Sequence, residues 1–124
     1  MIAENYCSFE IAKLLKKKGF NCPCRVVYSP KGIVKHYLKE EVHAYDLKGH
    51  KKLCPTHQMA MKWLRDVHNI TIEPLVDFES SDKYWLSADI SYIKKDGLIT
   101  TLTAYNTYEE AVEEALKYVL ENLI

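Results

Sequence analysis

The sequence predicts an α+β fold: an antiparallel sheet or sheets with helices packed on one face, in the order α-ββ-α-βββ-α. Three observations lead there. Apolar residues recur at helical spacing in three segments, each opening on a serine or threonine that can cap free amides. Five short β-prone runs lie between those segments. The runs come in groups of two and three rather than alternating singly with helices, which selects antiparallel pairing over a parallel βαβ sheet.

The first helix is expected over residues 8–18. Ser8 can cap it, Glu10 suits the positive first turn, and Phe9, Ala12 and Leu15 mark its apolar stripe. Gly19 can take the left-handed closing position and Phe20 can fold back on Leu15. Residues 25–28 and 33–37 read as a hairpin, because Ser29-Pro30-Lys31-Gly32 places proline and glycine where a tight turn wants them. Residues 38–54 alternate weakly, so a short strand and an irregular loop both stay open there.

Thr56 can cap a second helix whose apolar face would be Met59, Ala60, Trp63, Leu64 and Val67, with Asn69 ending it. Three strands follow, over 70–78, 84–93 and 98–105, the last two joined across Asp96-Gly97. Pro74 cannot donate to a ladder, so the first of these belongs at a sheet edge. Thr107-Tyr108-Glu109-Glu110 matches a capping box, and Val112, Ala115, Leu116, Val119, Leu120 and Leu123 draw one stripe along the last helix. Leu15, Phe20, Met59, Trp63, Leu64, Ile90, Leu102, Val112, Leu116, Val119 and Leu120 are expected in one core.

A chain of 124 residues lies in the one-domain range, and residues 1–124 read as a single compact domain. No apolar run approaches the roughly 20 residues of a membrane-spanning helix. The first twenty residues carry Glu4 and Glu10 and end in three lysines, without the basic-then-apolar order of a secretory signal. A cytoplasmic location is therefore expected, with reduced cysteines. The charges balance at 17 basic against 17 acidic, but unevenly: residues 1–53 hold 11 Lys/Arg and 5 Asp/Glu, residues 54–124 hold 6 and 12. Halves of about +6 and −6 favour self-association or contact with an anionic partner.

Cys22-Pro23-Cys24 and Cys54-Pro55-Thr56-His57 offer three thiolates and an imidazole, the donor set of a tetrahedral zinc site. A single proline between paired cysteines makes a strained bite, so the residues read better as structural and no metal or other cofactor is expected. Cys54 before a helix start with His57 nearby also suggests an activated thiol, but no oxyanion loop or orienting third residue accompanies the pair. His36, His43, His50 and His57 recur every seven residues, yet Gly49 and Pro55 interrupt any continuous helix. His68 suits the last turn of the second helix. The α-βββ-α order from residue 56 resembles a double-stranded-RNA-binding domain, except that Glu109 and Glu110 stand where such a domain needs basic residues. Lys16, Lys17, Lys18, Lys51 and Lys52 remain as a basic patch, but the pI near 6.9 lacks the footprint of a dedicated nucleic-acid binder. Glycine-rich phosphate loops, nucleophile elbows and zincin motifs are absent.

Three stretches, SFEIAKLLKKKGF (8–20), PTHQMAMKWLRDVHNI (55–70) and TYEEAVEEALKYVLENLI (107–124), resemble an uncharacterised family of small proteins from gut Bacteroidetes and their phages or mobile elements. The resemblance spans nearly the whole chain. It implies a bacterial or phage cytoplasm, an accessory role, and alanine in relatives at the position of Cys54, and it supplies no catalytic or ligand residues. The expectation is a non-enzymatic accessory or interaction domain that meets a protein partner or a second copy. A small zinc-binding or nucleic-acid-binding module is the alternative.

Overall fold

The computed structural model describes residues 5–80, 83–93 and 98–124. Among these residues it is an α+β fold with three α-helices and two antiparallel three-stranded sheets. The chain divides into two compact units, residues 1–60 and 61–124, with the boundary inside the second helix.

In residues 1–60, helix α1 (Phe9–Lys17) starts where Ser8 Oγ accepts the Ile11 N–H at 3.2 Å. It closes at Gly19, whose φ of +89° carries the chain into a double closure: Phe20 N–H donates to Leu15 and Gly19 N–H to Lys16. Strands β1 (Val26–Tyr28), β2 (Val34–His36) and β3 (Lys52–Leu53) pair in the order β2-β1-β3. Central β1 is buried throughout, while edge β2 is exposed throughout. In the β1–β2 turn, Ser29 exchanges backbone bonds with Gly32 and Ile33. Gly32 is required there twice over: its φ is +84°, and a Cβ would lie 3.0 Å from the Phe9 ring.

The segment left open by the sequence proves to be both alternatives in turn. Val42 forms a two-bond antiparallel bridge with Cys24, a 3-10 turn covers Ala44–Asp46, and β3 then closes the sheet against β1. Only two residues make that last strand, too few for an alternating pattern to show.

Helix α2 (His57–His68) begins where Thr56 Oγ1 accepts the Met59 N–H at 3.1 Å, and ends at Asn69, which takes the left-handed φ of 58°. Its buried residues are His57, Ala60, Met61, Trp63 and Leu64, with Met59 half-buried. Val67, expected on the apolar face, is 57% exposed. It lies in the final turn, where the ring of His68 packs edge-on against Trp63 at 4.8 Å and takes the inward place.

In residues 61–124, strands β4 (Ile70–Ser80), β5 (Lys83–Tyr92) and β6 (Leu98–Tyr105) pair in the order β4-β5-β6. Pro74 therefore stands in an edge strand, as its missing N–H demands. The expected Asp96-Gly97 turn lies outside the described residues. Ala104 has a φ of +72° beside a register shift between β5 and β6, the signature of a bulge. Helix α3 (Tyr108–Asn122) lies across all three strands. Ala111, Val112, Ala115, Leu116, Val119 and Leu120 are fully buried beneath it, whereas Leu123 and, on β6, Leu102 are half-buried. The residues expected in one core are thus shared between the units, Leu15 and Phe20 belonging to the first and Trp63, Leu64, Ile90 and the α3 stripe to the second. No helix among the described residues is long and apolar enough to cross a membrane.

Thr107 Oγ1 accepts the Glu110 N–H at 3.1 Å and so satisfies one free amide of α3. Thr107→Ala is expected to destabilise the chain by about 0.5–2 kcal/mol, and Thr107→Ser by much less. Thermal unfolding of both variants checks this.

Candidate interaction surface

All four cysteines lie in the first unit, and the thiols of three of them donate to backbone. Cys54 Sγ lies 3.5 Å from the Cys7 carbonyl oxygen, Cys24 Sγ 3.3 Å from that of Cys22, and Cys7 Sγ 3.9 Å from that of Thr56. The Cys7 carbonyl also accepts the buried Tyr28 hydroxyl at 2.7 Å. Backbone bonds from Cys7 to Pro55 and from His57 to Asn5 tie the N-terminal segment to the start of α2. Cys7, Cys24, Cys54 and His57 are buried; Cys22 is half-buried.

Burial, with smaller contributions from Cys54, Cys22 and Glu41, pushes the Cys24 thiol up to about 12. A thiol in that state is protonated at neutral pH, the opposite of what a nucleophile requires. Among the described residues, no group of three or more His, Cys, Asp and Glu side chains is placed to hold a metal ion. Cys24 lies in the bridge to Val42, while Cys54 and His57 flank the entry to α2. Ala12, Val26, Tyr28 and Cys54 form one buried cluster, with Phe9 against it.

The outer side of Phe9 carries the feature that spacing alone did not reveal. Lys13 Nζ lies 4.9 Å and Lys52 Nζ 5.5 Å from the centre of the same Phe9 ring. Residues 13 and 52 meet because α1 packs against β3. Lys16, one turn on from Lys13, donates to the Lys51 carbonyl at 3.1 Å, and Lys52 donates to that of His50 at 2.6 Å. Burial first, then Lys16 and Lys13, hold the Lys52 ammonium below the usual lysine range. Two ammonium groups therefore share one aromatic ring, with Lys16 close enough to act on Lys52, and none of the three forms an ion pair among the described residues. Such crowding is unfavourable in isolation and relieved by an anion.

Beside this patch, Lys16, Phe20, Ala44, Leu47 and Leu53 line a cleft of about 110 Å³. That is well below the roughly 300 Å³ at which small-molecule sites begin. In the second unit, a cleft of about 230 Å³ between β6 and α3 is lined by Tyr105, Glu114, Lys117, Tyr118 and Glu121, among others. Burial and then the carboxylates of Glu114 and Glu110 push the Tyr105 phenol up, so this cleft is both aromatic and negative.

Compared with known protein families, curated proteins and solved structures, the chain matches none.

Proposed function

We propose that the protein is a non-enzymatic interaction domain, an accessory protein of bacterial or phage origin whose working surface is the lysine cluster on residues 1–60. One observation carries the reading: Lys13 and Lys52 converge on Phe9, with Lys16 beside Lys52, and no carboxylate is paired to them among the described residues. The division of charge points the same way. Residues 54–60 carry no charge, so the two compact units have the +6 and −6 of the two sequence halves. Protein surfaces rich in Asp and Glu are the partners such a face selects, by steering and by desolvated cation–carboxylate contact.

A fluorescent poly-glutamate peptide is the direct probe. Binding followed by anisotropy is expected at about 20 mM salt, and to weaken at least about tenfold by about 300 mM as screening shortens the reach of the charges. Lys13→Glu with Lys52→Glu is expected to abolish it. Absence of binding to the wild-type chain at low salt would refute this function.

A further inference from the structure

We infer that the partner of the lysine cluster is a second copy of this chain, which presents the acidic, tyrosine-lined cleft between β6 and α3. The inference rests on the interaction reading above and names its occupant.

The two surfaces are complementary in charge and in kind. The ammonium groups of Lys13, Lys16 and Lys52 are held in place in residues 1–60, two over the Phe9 ring and two by backbone carbonyls, Lys52 by both, so little side-chain freedom is left to lose on docking. The cleft of the second unit sets the carboxylates of Glu114 and Glu121 beside the rings of Tyr105 and Tyr118, with Glu110 close enough to act on Tyr105. A lysine entering it meets carboxylates for its ammonium and aromatic faces for its stem and charge. Lys117 also lines the cleft and leaves the local balance negative, two carboxylates against one ammonium before Glu110 is counted.

A nucleic acid is the competing anion, and the same chain argues against it. A long polyanion drawn to the first unit is repelled by a tethered unit of about −6, whereas a second copy brings opposite charge to both faces. The contact is heterologous, since the two surfaces differ, and each copy offers one of each.

Complementary charge reversal tests this on the full chain. The basic face is reversed by Lys13→Glu with Lys52→Glu, and the acidic cleft by Glu114→Lys with Glu121→Lys. Sedimentation velocity of the wild type at about 20 mM salt is expected to show association that weakens at least about tenfold by about 300 mM. Each reversed variant alone is expected to sediment as a monomer with unchanged circular dichroism, and their equimolar mixture to associate again. Should a reversed variant fail to fold, Lys13→Gln with Lys16→Gln and Glu114→Gln with Glu121→Gln supply the same comparison with weaker association expected of each. A wild type that stays monomeric at low salt overturns the inference. So do reversed variants that associate as the wild type does, a mixture that does not recover, or tighter binding of an RNA or DNA duplex than of a second copy. Poly-glutamate binding by a monomeric wild type removes the second copy and leaves the interaction function standing; loss of both removes both.

Discussion

Trp63→Ala is expected to destabilise the protein by about 3–5 kcal/mol, the range for deleting a large buried aromatic side chain. Trp63 is 5% exposed on the helix face that also carries Leu64, itself fully buried. Its removal costs the transfer free energy of the indole and leaves a cavity that rigid neighbours fill only in part. It also strips cover from His68, whose ring meets Trp63 edge-on and whose Nε2 is buried without a hydrogen-bond partner among the described residues. Val67→Ala is the matched control. The helical pattern places Val67 on the same apolar face, but the structure leaves it exposed, so its truncation is expected to stay within about 0.5 kcal/mol. Chemical denaturation of the two variants separates a face drawn by periodicity from one that is packed. Equal losses would contradict the structure.

Alkaline destabilisation through Cys24 is the second large effect. Burial raises this thiol to about 12 in the folded chain, from 9.0 in the unfolded one. Below pH 9 the thiol is protonated in both states and its contribution to stability is fully present. Above it, the unfolded chain releases the proton while the folded chain keeps it, so stability falls as pH rises towards 12. The slope from this one group approaches about 1.4 kcal/mol per pH unit. Denaturation midpoints between pH 8 and about 11 are expected to fall in the wild type and to flatten in Cys24→Ala by that slope. Identical pH profiles for the two chains would show that Cys24 is not held in its protonated form. In the same terms, alkylation of Cys24 in the folded protein is expected to be slow compared with that of a free thiol.

The elements legible in the sequence are those whose signal is local. Ser8, Thr56 and Thr107 each cap the helix they precede, Gly19 and Asn69 each take the left-handed position at a helix end, and Pro74 lies on an edge strand. These features depend on a few neighbouring residues and the stereochemistry of the backbone. The α3 stripe is equally legible, because six buried positions between Ala111 and Leu120 leave no other face to choose. Residues 38–54 were not, since the bridge of Val42 to Cys24 and the pairing of β3 with β1 join positions far apart in sequence. Val67 shows the limit of periodicity: a helical pattern gives direction about the axis but not where along it the packing stops.

The same division explains the candidate sites. Cys22, Cys24, Cys54 and His57 suggest metal chemistry by residue type and spacing, whereas the structure adds what spacing does not show, that the Cys24 and Cys54 thiols donate to backbone carbonyls. Lys16 and Lys52 were already visible as parts of a basic patch. Lys13 was not, because nothing in a linear reading places it against residue 52; the packing of α1 on β3 does, and Phe9 gives both ammonium groups a common seat.

Amide chemical-shift mapping of the isotope-labelled full chain, titrated with poly-glutamate at about 20 mM salt, tests most directly whether this cluster is the working surface. Shifts gathered at Phe9, Lys13, Lys16 and Lys51–Lys52, and reversed by salt, are the expected result. Shifts confined to residues 61–124, or a spectrum that does not change, would contradict it.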